Sequence, residues 1–159
     1  MPNDVFEIYQ LAGHTTGTLG LCKQPQTDTD FTDIAAWHPS VVVSLTKEEE
    51  FPDTNKPLPV RFLQADYHWL HLPITDFDVP PGKDTALWQA SLKDLQAVLN
   101  EGGKVLIHCK GGKGRSGMMV LKLLVMQGED KVAGLQRIRS IRAGAVETDA
   151  QHNWAITAL

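Results

Sequence analysis

A thiol, a guanidinium and three closely spaced glycines fall within ten residues of this 159-residue chain, His108-Cys109-Lys110-Gly111-Gly112-Lys113-Gly114-Arg115-Ser116-Gly117. Glycine at 111, 112 and 114 lets the backbone turn sharply and come close to a ligand. The N–H groups of such a loop, together with the start of a following helix, can converge on one anion. Arg115 adds a planar fork that matches two phosphate oxygens. A cysteine at the floor of this cradle is expected to ionise readily, because the surrounding donors stabilise thiolate over thiol. Comparable cysteines titrate at about 3.5–7.5. On this reading Cys109 is a nucleophile beneath a phosphate-shaped pocket, which Lys110, Gly111, Gly112, Lys113 and Gly114 line.

Two other readings compete for the same residues. A buried cysteine often packs as a small apolar group, but that explains neither the glycines nor Arg115. Gly112-Lys-Gly114-Arg-Ser-Gly117 also fits the dinucleotide pattern G-x-G-x-x-G. That pattern requires a second strand carrying an acidic residue about 20 residues on, and here one helical segment follows another. Gly-Lys followed by Ser or Thr occurs nowhere in the chain, so no Walker A loop is present.

A thiolate that attacks phosphorus needs an acid to protonate the leaving oxygen. The segment Leu72-Pro-Ile-Thr-Asp76-Phe-Asp78-Val-Pro80 is the natural place for one, on a loop bracketed by Pro73, Pro80, Pro81 and Gly82 that can continue neither a strand nor a helix. Taken alone, Asp76 is an ordinary loop aspartate bonding its own backbone. Beside Cys109 and Arg115 it becomes the candidate acid.

These residues need elements to hold them. Lys104–His108 (KVLIH) and Val41–Leu45 (VVVSL) read as buried strands, with further short strands at Val5–Ile8, Thr18–Leu21 and His68–Leu72. Asp30–Trp37 reads as a short helix ended by Pro39, and Lys47–Asp66, with three prolines, as irregular chain with short helical pieces. Apolar residues at 87, 88, 92, 95, 98 and 99 predict a helix over 84–100, with Asp84 or Thr85 as its N-cap and Gly102 beyond its end. Arg115–Gln127 is apolar nearly all round and predicts a buried helix stopped by Gly128. A helix through Val132, Leu135, Ile138 and Ile141 follows, then one that starts at Thr148, where Thr148 and Gln151 form a capping box. Strands mixed with helices, closing on three consecutive helices, predict an α/β domain.

His-Cys-x5-Arg-Ser at 108–116 is the signature of cysteine-dependent protein phosphatases. The form Cys-x-Gly-Gly-x-Gly-Arg-Ser resembles the dual-specificity members, in particular the cyclin-dependent kinase inhibitor-associated type. The resemblance implies a tyrosine/dual-specificity phosphatase fold, a central mixed sheet flanked by helices in one domain over residues 1–159. It also implies hydrolysis of phosphate monoesters through a cysteinyl-phosphate. The family's acid loop, Asp-x-Gly-x-Pro, is similar to Asp76-Phe77-Asp78-Val79-Pro80, which assigns the acid to Asp76 and puts Asp78 where the family has glycine. By the same resemblance Ser116 hydrogen-bonds the sulfur and helps it leave, and His108 fixes the loop. Where the family often carries water-positioning glutamines, this chain has Glu147 and Gln151; neither is placed among the catalytic residues.

Composition sets the outer bounds. Apolar residues make up 42% and charged residues 21%, an ordinary globular balance that argues against disorder. Cys22 and Cys109 are too few for a secreted disulfide scaffold; the four tryptophans are scattered and read as core anchors, so nucleic acid is not an expected partner. The first ten residues show no signal peptide, and the longest apolar run is far short of a membrane span. A cytoplasmic monomer without stable membrane insertion is expected. His68 and His71 have no companions suited to a metal, so neither metal nor cofactor is expected. The net charge of −4 divides unevenly: 104–142 carries +7 and the remainder −11. A basic third suits a phosphorylated ligand. Phosphotyrosine on a protein is the expected substrate, with phosphoserine and phosphothreonine beside it. The lysines at 110 and 113 leave phosphoinositides or inositol phosphates as an alternative, and a catalytically weak phosphate-binding module as another.

Overall fold

The computed structural model describes residues 5–158. Five strands form one sheet: β1 (Tyr9–Ala12), β2 (Thr18–Cys22), β3 (Val41–Ser44), β4 (His68–His71) and β5 (Lys104–His108). Their order is β1-β2-β5-β3-β4, with only the β1–β2 pair antiparallel. Six helices cover it: α1 (Asp28–Trp37), α2 (Leu58–Leu63), α3 (Thr85–Asn100), α4 (Gly114–Met126), α5 (Lys131–Ile141) and α6 (Asp149–Ile156). This is the mixed α/β architecture that the sequence predicts.

Both faces of the sheet are buried, so its central strands are apolar throughout rather than alternating with polar residues. Val41, Val43, Val105 and Ile107 point into the larger core, which α3, α4 and α6 close. Val42 and Leu106, one residue out of phase, pack with Ile34 and Phe62 under α1 and α2. Helix α4 runs through the larger core, and every residue from Gly114 to Leu124 is buried. That all-round burial is why its sequence lacks a polar face.

The parallel strands end together. In register, Cys22 lies beside His108, His108 beside Ser44, and Ser44 beside His71. This row marks the carboxyl edge of the sheet, where ligands of open α/β folds bind.

Three expectations need correction. Val5–Ile8 is not a strand; β1 begins at Tyr9. The strand abuts the 13–17 turn, where Gly13 N donates to Gly17 O and Gly17 takes φ +78°. That turn sets the register, while Phe6 and Ile8 pack against the smaller core without pairing. Asp84 precedes α3, but its side chain caps nothing, because the chain enters the helix through a 3-10 turn at Gly82–Asp84. Helix α1 starts two residues earlier than expected, at Asp28, because Thr27 and Asp30 form a capping box.

Candidate active site

The glycine-rich loop leaves β5 at the row of strand ends and enters α4 at Gly114. Gly112 takes φ +73°, and a Cβ there would stand 2.5 Å from the Cys22 carbonyl carbon. Left-handed backbone and contact with β2 together require glycine at this position. The turn carries the Gly112 N–H back to Cys109, where it donates to Sγ at 3.2 Å. Ser116 Oγ lies 3.3 Å from the same sulfur. Cys109, Ser116 and Arg115 are all buried.

The loop is braced from outside through its carbonyls. Arg142, after α5, donates to Gly111 O at 2.8 Å and Gly112 O at 3.3 Å, and lies 4.7 Å over the Tyr9 ring. Val146 N donates to Lys113 O at 3.1 Å. Val146 is β-branched yet holds φ +63°, a strained conformation fixed by this bond and by Arg139, which donates to the carbonyls of Ala145 and Val146.

Below the loop His108 closes a buried chain of hydrogen bonds. Trp69 Nε1–H donates to Ser44 Oγ at 2.8 Å, and Ser44 Oγ meets His108 Nε2. Cys109 O, 3.2 Å from Nδ1, can only accept, so Nδ1 carries the ring proton, and in the neutral ring Nε2 accepts from the Ser44 hydroxyl, whose oxygen accepts from the indole. Full burial lowers the imidazole's pKa to about 4, partly opposed by the bond to Cys109 O and reinforced by the charge of Arg115. His108 is therefore neutral near pH 7, with its tautomer set by Cys109 O.

Arg115 has a partner that the sequence did not reveal. Glu50 ends the 3-10 turn Glu48–Glu50 and grips the guanidinium with both oxygens, Oε2 to Nη1 and Oε1 to Nη2, each at 2.8 Å. Burial works against the Glu50 charge, but the bonds from Arg115 and from the Lys47 backbone hold its carboxyl below the usual range. Nη1 also donates to Ile74 O at 2.8 Å, and Nη2 lies 3.3 Å from Asp76 Oδ1. Nε, equally buried, has no partner among the described residues. A buried donor without an acceptor costs about 1–3 kcal/mol, a cost that an anion resting on the loop would remove.

Asp76 stands at the mouth of the site, with its side chain half exposed. Its Oδ1 accepts from Phe77 N, and Phe77 takes φ +62°. Asp78 is exposed and folds back onto Val79 N at 2.8 Å. Lys110 is exposed, with Nζ 3.5 Å from Glu50 O, while Lys113 is half-buried. The structure thus gathers Cys109, His108, Arg115, Ser116, Asp76 and the loop glycines in one place. Cys22 is buried behind the loop, and burial together with the neighbouring Cys109 pushes its thiol pKa well up. A concavity of about 600 Å³ lined by Phe31, His38, Lys56 and Tyr67 lies at the opposite, amino edge of the sheet and contains none of these residues.

Comparison with known proteins places this arrangement among the cysteine-dependent phosphatases of dual-specificity type. Residues 15–155 match the family described as PTP-SAK, Swiss Army Knife protein, DSP-PTPase phosphatase domain, and the chain belongs to that family. Cyclin-dependent kinase inhibitor 3 of Sus scrofa is 36% identical over 88 residues, covering 53% of this chain and 40% of the relative's length. The solved structure of Tk-PTP in its active form superposes with a TM-score of 0.70 at 29% identity, covering 85% of this chain and 86% of that one. Kinase associated phosphatase shares the fold with a TM-score of 0.78 at 22% identity, over 94% of this chain and 92% of its own.

Proposed function

We propose that this chain hydrolyses phosphate monoesters on proteins, phosphotyrosine first and phosphoserine or phosphothreonine beside it, through a phosphorylated cysteine. One observation carries the reading: Cys109 Sγ rests under the Gly112 amide beside a buried guanidinium that is fixed by Glu50 and keeps an unpartnered Nε–H. In the first step Cys109 Sγ attacks phosphorus in line, the S–P bond forms and the ester P–O bond breaks. Asp76 gives its proton to the departing oxygen. The loop amides and Arg115 stabilise the equatorial oxygens of a loose transition state. In the second step water attacks phosphorus, Asp76 takes a water proton, and the S–P bond breaks. Ser116 donates to the leaving sulfur. The products are the free hydroxyl and inorganic phosphate.

His108 keeps the Cys109 carbonyl turned away from the anion, and neutral imidazole does this without adding charge beneath the loop. Residues 1–159 act as one catalytic domain. The test is hydrolysis of an aryl phosphate in the presence of EDTA. Cys109→Ser should abolish turnover, and Asp76→Asn should lower it about 10²–10⁴-fold. Activity that EDTA removes, or that Cys109→Ser retains, refutes the mechanism.

A second reading has its own observation, the Lys110 and Lys113 ammonium groups on either side of the glycines. Two cations at the rim favour a ligand with several phosphates, as on an inositol ring. Lys110→Ala with Lys113→Ala would then depress turnover of polyphosphorylated inositides selectively, whereas equal loss on phosphotyrosine peptides removes that reading.

A further inference from the structure

The loop that bears Asp76 is tied down on both sides, at equal distances along the chain. Two residues before Asp76, Ile74 O accepts from Arg115 Nη1 at 2.8 Å. Two residues after it, Asp78 O accepts from Gln151 Nε2 at 3.3 Å. Between the two anchors the backbone passes through Phe77 at φ +62°, a conformation that costs about 1–2 kcal/mol outside glycine and needs outside support. Ile74 lies before the strained residue and Asp78 after it, so each anchor fixes one side of the turn.

Gln151 is itself fully buried and immobilised by its other end. Its Oε1 accepts from Glu147 N at 2.9 Å and Thr148 N at 3.2 Å, and its own N–H donates to Thr148 Oγ1 at 3.0 Å. The acceptor end thus caps α6, and the donor end reaches across 73 positions of sequence to the acid loop. An ordinary capping box uses only the acceptor end. The Nε2 bond lies outside it.

We infer that Gln151 is a positioning residue that holds Asp76 over the leaving oxygen by latching the Asp78 carbonyl to the amino end of α6. This rests on Asp76 being the acid, as proposed above. With the latch released, Phe77 relaxes towards ordinary backbone and the carboxyl swings off the oxygen it must protonate. A displacement of about 1 Å can cost on the order of 10²-fold in rate, and half of the support, the Arg115 anchor, remains. The loss in kcat/KM, which reports the first step alone, should therefore be about 10-fold and confined to leaving groups that need a proton.

Gln151→Glu separates the two ends of the side chain. A carboxylate still accepts from the Glu147 and Thr148 amides, which favour its ionised form at a helix start, but offers no proton to Asp78 O. The rate measured is kcat/KM, which reports formation of the cysteinyl-phosphate and not its hydrolysis, at pH 7 on phenyl phosphate, whose leaving group resembles tyrosine with a pKa of about 10, and on dinitrophenyl phosphate, which departs unaided. Gln151→Glu should lose about 10-fold on the first ester and less than about 2-fold on the second. Thr148→Ala, which weakens the cap and leaves Nε2 in place, should lower the thermal midpoint with no such gradation. Gln151→Leu loses cap and latch together and should combine the two effects, so the reading survives even if the glutamate variant folds poorly.

Asp76→Asn serves as the internal reference. A graded deficit in Asp76→Asn with an equal deficit on both esters in Gln151→Glu overturns the latch alone. A flat deficit in Asp76→Asn overturns the acid assignment, and the latch falls with it.

Discussion

Glu50 offers the sharpest perturbation, because its carboxylate holds the most buried cation in the site. Arg115 is 1% exposed and Glu50 19%, so replacing Glu50 with alanine leaves a guanidinium with little access to water. Two hydrogen bonds of 2.8 Å disappear. Nη1 keeps Ile74 O, and Nη2 keeps only the longer approach to Asp76 at 3.3 Å. Charge-assisted bonds of this kind are worth about 1.5–3 kcal/mol each, and water entering through the exposed side of Glu50 recovers part of the loss. Stripping one partner from a buried pair costs about 3–5 kcal/mol, and the lower end applies here, about 3 kcal/mol. Freed from Glu50, the guanidinium also loses its fixed angle over Cys109, and kcat/KM should fall about 10²-fold. Glu50→Gln retains one acceptor oxygen and should lie between. Urea unfolding gives the stability, and aryl phosphate kinetics below the unfolding transition give the activity. If Glu50→Ala matches the parent within about 0.5 kcal/mol and within about twofold in kcat/KM, the grip of Glu50 on Arg115 does not organise the site.

Two further outcomes follow from the buried residues around the loop. His108 is neutral in the fold, with a pKa of about 4 against an ordinary 6.5, so below pH 6.5 the unfolded chain binds a proton that the folded one refuses. Stability should therefore fall by about 3 kcal/mol as pH drops from about 6.5 to about 4 and should not change for this reason above 6.5; urea titrations of His108→Asn across this window should lack that part of the slope, and an unchanged slope would contradict it. Gly112→Ala forces a Cβ into the Cys22 carbonyl carbon at φ +73°. It should cost about 3 kcal/mol and displace the amide that faces Sγ; an alanine variant as stable and active as the parent would show that the loop turns without that close approach.

Most of the site was legible because its residues lie close together in sequence. Cys109 to Arg115 must meet whatever surrounds them, and strand before and helix after follow from local pattern. Asp76 was legible only against Cys109, since a loop aspartate among prolines has many ordinary uses. Glu50 was not legible. It sits in a run of three glutamates, Glu48–Glu50, and nothing local distinguishes the third from its exposed neighbours. Its role comes from tertiary placement, where the end of β3 brings the 3-10 turn over Arg115, 65 positions away. Gln151 was legible as a cap from its spacing to Thr148, yet its second bond to Asp78 depends on the packing of α6 against α4 and the acid loop. The misplaced first strand has a local reason. Val5–Ile8 carries the apolar residues, but pairing is dictated by the Gly13–Gly17 turn, so the strand lies next to the turn even though its residues are less apolar.

Whether phosphorus passes through Cys109 can be observed directly. The Asp76→Asn protein, mixed rapidly with a dinitrophenyl phosphate and quenched in acid, should carry a phosphoryl group on the peptide that contains Cys109, because the first step proceeds without the acid and the second waits for a base. Cys109→Ser should carry none on that peptide under the same conditions. A quenched enzyme that turns over substrate yet shows no phosphorylated Cys109, or carries the group on another residue, would contradict the account.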